Sequence, residues 1–240
     1  MYPFVKQIKE ELSQLADESI ALNSQRFFKT GPGDYGEGDL FLGIRVPVLR
    51  KLIPQYKNTT LEQILELLKS PYHEERLFAL FLLVGQFSKG SAEERKQRYH
   101  AYLGHTKYIN NWDLVDTSAE HIVGAYLMAR DRSPLYQLVR SKDLWERRIA
   151  VLATFYFIKR NEYQDTLQIA ELLLNDSEDL IHKAVGWMLR EIGKRNLKAE
   201  ESFLRQHYQQ MPRTMLRYAI EKFEEKKRQN YLYGRIPLGE

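Results

Sequence analysis

A repeat with a period in the mid-thirties is the feature that most constrains how this chain can fold. Four segments with helical apolar spacing can be laid over one another, and each carries one basic residue at the start of its apolar block. These basic residues are Arg76, Arg148, Lys183 and Arg217, which lie 72, 35 and 34 residues apart. Half of the first interval places a missing copy at Trp112. The chain is therefore expected to repeat one helical unit several times.

The rest of the sequence predicts helices and turns only. Apolar residues recur at intervals of three and four from residue 61 to residue 231, and Ser, Asp, Asn and Pro separate the blocks. We predict an all-α fold, an α-α superhelix of the HEAT-like repeat solenoid type, in which equivalent second helices line a concave basic groove. We expect one domain over residues 1–240, with an N-terminal helix and a Gly-rich loop in 1–40 and the repeats in 41–230.

The repeat register predicts the composition of that groove. Residues four positions apart share a helix face, so Asp116 and Trp187 should accompany Trp112 and Lys183. The face would then combine basic residues with two indoles and one carboxylate, which suits a binding groove better than a core. A chance register of amphipathic helices remains the alternative at this point. The candidate DNA-binding residues are Arg45, Arg76, Lys183, Arg190 and Arg217.

Composition narrows the possible functions. The 240 residues include no Cys and six scattered His, so we expect no metal site and no cofactor. The net charge of +4 permits a nucleic-acid partner. No apolar run is long enough to cross a bilayer, and the amphipathic N-terminus does not resemble a signal peptide, so we expect a cytoplasmic protein. "GPGDYG" at residues 31–36 is interpreted as a loop, because the acidic residues Asp34, Glu37 and Asp39 would repel a dinucleotide phosphate.

The expected groove suits one particular chemistry. A purine alkylated at N3 or N7 is cationic, so indoles can hold it by cation–π contact, and it leaves a sugar without being protonated. The remaining sugar develops oxocarbenium character, which one nearby carboxylate stabilises while it orients water. One aspartate is therefore enough for this reaction.

Several motifs carry a family resemblance. "FLGIRVP", "NNWDLVD", "LWERRIA", "HKAVGWMLREIGK" and "LRYAIEKF" resemble the AlkD-like DNA alkylation repair proteins, HEAT-like glycosylases that excise positively charged alkylpurines. The resemblance runs from about Phe41 to Tyr218. It implies Asp116 as the catalytic aspartate, Trp112 and Trp187 as its aromatic partners, and Arg148 as the arginine that binds the DNA backbone. The loop "KTGPGDYGEGD" departs from the family by being longer and more acidic.

The resemblance implies hydrolysis of the N-glycosidic bond of 3-methyladenine- and 7-methylguanine-type lesions in duplex DNA, for base excision repair. We expect a monomer that needs no cofactor and associates with the nucleoid when it acts. Two other functions stay open: a non-catalytic binder of bent or branched DNA, and a HEAT-type protein–protein scaffold.

Overall fold

The chain forms an all-α helical repeat fold, as seen in a computed structural model that describes residues 2–236. Within these residues the only pairing of extended backbone is an isolated bridge between Leu40 and Tyr72. The residues fall into two compact units with their boundary between Ser118 and Ala119. No helix in the described part of the chain has the length and apolarity needed to span a bilayer.

The first unit contains seven α-helices and one short 3-10 turn. They are α1 (Pro3–Gln14), α2 (Glu18–Phe27), α3 (Val46–Leu52), α4 (Leu61–Leu68), α5 (His73–Lys89), α6 (Ala92–Leu103), the 3-10 turn Thr106–Tyr108, and α7 (Trp112–Asp116). The core of this unit is built around α5, whose residues from Leu77 to Leu83 are all buried, and α4 packs beside it.

The second unit begins with a wide π-helical turn at Glu120–Gly124. It continues with α8 (Ala125–Leu127), α9 (Ser133–Leu138), α10 (Leu144–Ala153), α11 (Phe155–Ile158), α12 (Gln164–Leu172), α13 (Asp179–Gly193), α14 (Leu197–His207), α15 (Arg213–Ala219), the 3-10 turn Ile220–Lys222, and α16 (Glu225–Leu232). Here α13 is central, since it packs against α10, α14 and α15.

The predicted register is confirmed in the second unit. Arg148, Lys183 and Arg217 are each the fifth residue of their helices α10, α13 and α15, and these helices pack side by side in that order. In the first unit the match is looser, because Arg76 is the fourth residue of α5 and Trp112 is the first residue of α7. The repeats of the second unit are therefore the more regular ones.

The N-terminal region differs from the prediction of a single helix. It contains two helices, because the chain turns at Asp17, whose carboxylate accepts a hydrogen bond from the Ile20 N–H at 3.0 Å and caps α2. The Gly-rich loop follows α2 directly. Its residue Gly36 lies so close to the Phe28 carbonyl oxygen that an added Cβ would stand 2.6 Å from it.

The turn after the Gly-rich loop is built around Gly43. Its backbone has φ +82°, and an added Cβ would stand 2.0 Å from the Asp17 carbonyl oxygen. The carboxylate of Glu74 on α5 accepts the N–H groups of Leu42, Gly43 and Ile44 at 2.8, 2.8 and 3.2 Å. The motif "FLGIRVP" is thus a tight turn that is fixed to the first turn of α5.

We expect Gly43→Ala to destabilise the protein by about 3 kcal/mol or more, from left-handed strain and backbone overlap together. Gly85 in α5 is the matched control, because an added Cβ there meets nothing within 4 Å. Gly85→Ala should stabilise the protein by up to about 1 kcal/mol, since alanine is the better helix former. Urea unfolding of both variants measures the difference, and equal stabilities would show that the turn is not strained.

Candidate functional site

Helix α7 carries the aromatic and acidic pair that the sequence singles out. Its N-cap is Asn111, which is fully buried and whose side-chain oxygen accepts the Trp112 N–H at 2.8 Å. Trp112 and Asp116 are the first and last residues of this helix, one turn apart, and both are half-buried. The prediction that they share one helix is confirmed.

Aromatic rings support the Trp112 indole from the N-terminal region. Phe28 stacks on the indole with ring centroids 5.2 Å apart and an angle of 23°, and Phe27 meets it edge-on at 5.9 Å. Phe28 also stacks on the buried ring of Phe41 at 5.1 Å. The indole therefore rests on a layered aromatic support and still remains partly accessible.

The imidazole of His73 completes this support. Its ring stacks on Phe41 at 4.6 Å and lies 4.9 Å from Phe28. Its Nδ1 is 2.8 Å from a carboxylate oxygen of Asp39, and its Nε2 is 2.8 Å from one of Asp113. Burial alone would lower the pKa of His73, but the carboxylates of Asp113 and Asp39 outweigh it and raise the pKa to about 9.

Because His73 is protonated at neutral pH, both of its ring nitrogens donate. The described residues form no group of side chains suited to a metal ion, and His73 in this state has no lone pair to offer one. Asp39 lies deep in the same cluster. Burial raises its pKa, but the hydrogen bond and charge of His73, together with the charge of Arg76, outweigh that and lower it.

The two carboxylates of "NNWDLVD" therefore have different surroundings. In Asp113, one oxygen accepts from His73 and the other accepts the Leu114 N–H at 2.8 Å. Asp113 is held inside the protein's own hydrogen-bond network. Asp116 lies at the end of the helix and is half-buried. Burial is the main cause that raises the pKa of the Tyr102 phenol, and the negative charge of Asp116 adds to it.

Arg76 does not lie on an accessible face as the register predicts. Its side chain is buried, with only 4% of the residue exposed. Its guanidinium donates to the Asp39 carboxylate at 2.8 Å and to the carbonyl oxygens of Ser70 and Pro71 at 3.1 and 3.2 Å. The physical reason is the buried charge of Asp39, which needs cationic partners.

In the second unit, the predicted residues cluster on α13. Trp187 is half-buried, its indole N–H donates to Glu191 at 3.2 Å, and its ring lies tilted against Phe155 at 5.8 Å. Burial raises the pKa of Glu191, but hydrogen bonds from Lys194 and Arg195 outweigh it and lower the pKa. Trp187 is therefore anchored by a carboxylate that stays ionised.

The predicted cationic side chains differ in their exposure to solvent. Arg148 is only 5% exposed, and it donates to the Leu180 carbonyl oxygen at 2.5 Å. Lys183 is half-buried and pairs with Asp179 at 2.7 Å, while Arg190 pairs with Glu221. Two others are exposed, Arg217 on α15 and Arg45 at the start of α3.

The aromatic and ionic support of Trp112 is absent from the sequence predictions. Its members come from separate segments: Phe28 from the end of α2, Asp39 from the loop, and His73 from α5. One signal is visible in the sequence, since "HEER" at residues 73–76 places four polar residues directly before an apolar block. All four are buried.

The fold and these residues define a helical-repeat protein that presents two partly accessible indoles, each a single turn from a carboxylate: Trp112 from Asp116, and Trp187 from Glu191. A family model described as "DNA alkylation repair enzyme" matches residues 8–223, and the chain belongs to that family. A similar solved structure is that of a predicted DNA alkylation repair enzyme from Enterococcus faecalis. It is 16% identical, the match covers 88% of this chain and 97% of that one, and the TM-score of 0.66 shows a shared fold. No curated protein matches significantly.

Proposed function

We propose that this protein is a monofunctional DNA glycosylase that removes cationic alkylated purines, of the 3-methyladenine and 7-methylguanine type, from duplex DNA. The observation that carries the proposal is the pair on α7, where partly exposed Trp112 lies one turn from Asp116. Membership of a DNA alkylation repair family supports a DNA substrate.

The Trp112 indole recognises the charge of the lesion, and the Trp187 indole is a second candidate for such a contact. A purine alkylated at N3 or N7 carries a positive charge, and an indole face offers it about 0.5 to 2 kcal/mol of cation–π stabilisation. Phe28 behind Trp112 and Phe155 beside Trp187 hold the two indoles in place. A neutral normal base gains much less from these rings, so the contact favours the lesion over undamaged DNA.

The Asp116 carboxylate acts on the sugar. As the bond between the base nitrogen and C1′ breaks, its electron pair passes to the base, which leaves as a neutral molecule. The positive charge develops on the sugar, where the carboxylate stabilises it and orients a water molecule. Water adds to C1′ and releases its proton to solvent, so the product is an abasic site in an intact strand.

The cationic side chains bind the DNA backbone. Arg45 and Arg217 are exposed and form our first choice for phosphate contacts, and Lys183 shares the repeat register with Arg217. Arg148, which the resemblance implies as a contact to the DNA backbone, is buried and donates to the Leu180 carbonyl oxygen, so we assign it to holding the start of α13. Arg76 is assigned to the internal network around Asp39, and Arg190 to its pair with Glu221.

Single-turnover release of 7-methylguanine from an oligonucleotide duplex tests the proposal. We expect the free base and an alkali-labile abasic site, with no strand break before alkali. Duplex binding without base release would support the non-catalytic DNA binder instead. If the protein neither binds the duplex nor releases the base, the result would support the protein scaffold.

We expect Arg217→Ala to weaken binding to damaged and undamaged duplex alike, and to make the log–log salt slope shallower by about 0.9 for the lost phosphate contact. Arg160→Ala is the matched control, because Arg160 is also exposed but lies outside the register and rests on the Tyr156 ring. It removes the same charge. Binding titrations across a range of salt concentrations measure the slope for each variant. Equal log–log salt slopes for Arg217→Ala and Arg160→Ala would show that Arg217 is not in the interface.

A further inference from the structure

We propose that His73 is the positioning residue for Trp112, and that as an imidazolium it joins the Gly-rich loop to α7 and thereby fixes the indole. The proposed consequence for base excision rests on the function proposed above. The effect of His73 on the position of the Trp112 indole does not depend on that function, and it can be measured without DNA. The proposal assigns a role to both the loop at residues 30–39 and the buried histidine.

The geometry joins three separate parts of the first unit. From its place at the start of α5, His73 reaches Asp39 in the loop on one side and Asp113 in α7 on the other, at 2.8 Å each. Asp113 follows Trp112 directly in the chain. The amide of Asn111, the residue before Trp112, also donates to Asp39 at 3.4 Å. Both chain neighbours of Trp112 are thus bonded to this network.

The faces of the imidazole ring add a second connection. His73, Phe41 and Phe28 contact one another at centroid distances of 4.6 to 5.1 Å. Phe28 in turn stacks on the Trp112 indole. His73 therefore acts on Trp112 both through the backbone of α7 and through the aromatic support below the indole.

The chemistry of the site requires a protonated histidine. Two carboxylates lie at opposite edges of one planar ring, and only an imidazolium donates a hydrogen bond from each edge while its faces stack on aromatic rings. A neutral imidazole donates from one nitrogen only, so one carboxylate would face a lone pair. A side-chain amide has its donors at one end and has no aromatic face.

The charges also balance only while His73 keeps its proton. The charged groups that face it are Asp39 from the loop, Asp113 from α7, and Arg76 from its own helix through Asp39. Phe28 and Phe41 cover the ring and carry no charge. Two negative and two positive charges cancel. Loss of the proton would leave a buried net negative charge, which is costly.

This balance gives a sign for the pH dependence. Because the pKa of His73 in the folded protein is raised from 6.5 to about 9, its contribution to stability is complete below pH 6.5 and is lost as the pH rises towards 9. Removing the Asp113 charge takes away the leading cause of the rise. In Asp113→Asn, His73 should lose its proton at a lower pH, and Trp112 should lose its fixed position there.

Asp113→Asn tests the proposal, with Asp131→Asn as a matched control. Asp131 is exposed and its carboxylate accepts hydrogen bonds from Ser133. The free proteins are titrated with two probes, the NMR signals of the His73 ring and the fluorescence of Trp112, the latter taken as the difference from a Trp112→Phe variant. In the native protein and in Asp131→Asn both probes should change together near pH 9. In Asp113→Asn both should change at least one pH unit lower.

The excision rate provides the functional measurement. The rate of Asp113→Asn divided by the native rate at each pH cancels any ionisation of the substrate. We expect this ratio to be close to one at low pH and to fall as the pH passes the lowered pKa. A pH-independent loss, or Trp112 fluorescence that does not follow the His73 titration, would overturn the positioning role. A native protein without excision activity would contradict only the proposed function, since the two probes still decide the role of His73.

His73→Gln is a second variant, which tests the same titration from the histidine side. It leaves the carboxylates in place and removes the titrating group. Its Trp112 fluorescence should show no change between pH 6 and 9, whereas the native signal should change as His73 loses its proton. A pH-dependent signal that persists in His73→Gln would assign the change to another group and overturn the proposal.

Discussion

The variant Asp116→Asn is expected to release 7-methylguanine about 10²- to 10³-fold more slowly than the native protein, the usual cost of losing one preorganised electrostatic group. Asparagine keeps the size of the side chain and removes the negative charge that would face the developing sugar cation. Duplex affinity should change little, because Asp116 is assigned to the reaction and not to phosphate binding. Single-turnover kinetics separates the two effects.

Asp131→Asn is again the control, since it makes the same chemical change at an exposed position in the second unit. Its rate should equal the native rate. Asp113→Asn is a more demanding comparison, because Asp113 also lies within α7. At low pH, Asp113→Asn should release 7-methylguanine at close to the native rate, whereas Asp116→Asn should be slow. Equal rates for native protein and Asp116→Asn would remove Asp116 from the mechanism.

The fold was predictable because its cause is periodic. Apolar spacing and turn residues predict a series of helices from residue 61 to residue 231, and the structure has helices joined by short turns over that span. The register of Arg148, Lys183 and Arg217 follows from equal repeat lengths. The second N-terminal helix was missed because none of its residues is buried and its start depends on one cap, Asp17.

The candidate site was predictable only where its residues are close together in the sequence. Trp112 and Asp116 lie one turn apart, so local spacing finds them. The support of Trp112 was not predictable, because Phe28, Asp39 and His73 are distant in sequence and meet only after folding. Arg76 shows the opposite error, since its place in the register suggested an exposed cation, whereas the buried charge of Asp39 draws it inside.

The charge of the leaving base should decide which lesions the protein releases. A cationic alkylpurine departs without a proton, but uracil and 8-oxoguanine are neutral and need an acid or strong stabilisation of the leaving base. One carboxyl group in the second unit does hold a proton near neutral pH. It is Glu200, whose pKa burial raises to about 8. Glu200 is 1% exposed and packs directly against Gly193, so it has no access to a DNA base.

We therefore expect release of 7-methylguanine and no detectable release of uracil from otherwise identical duplexes under single-turnover conditions. The abasic product should remain uncut until alkali is added, because the proposed mechanism contains no lysine that forms a Schiff base with the sugar. A uracil glycosylase assayed on the same uracil duplex shows that this substrate is competent. Efficient uracil release would mean that the protein activates the leaving group, and the indole and carboxylate chemistry proposed for Trp112 and Asp116 would then be wrong in its central assumption.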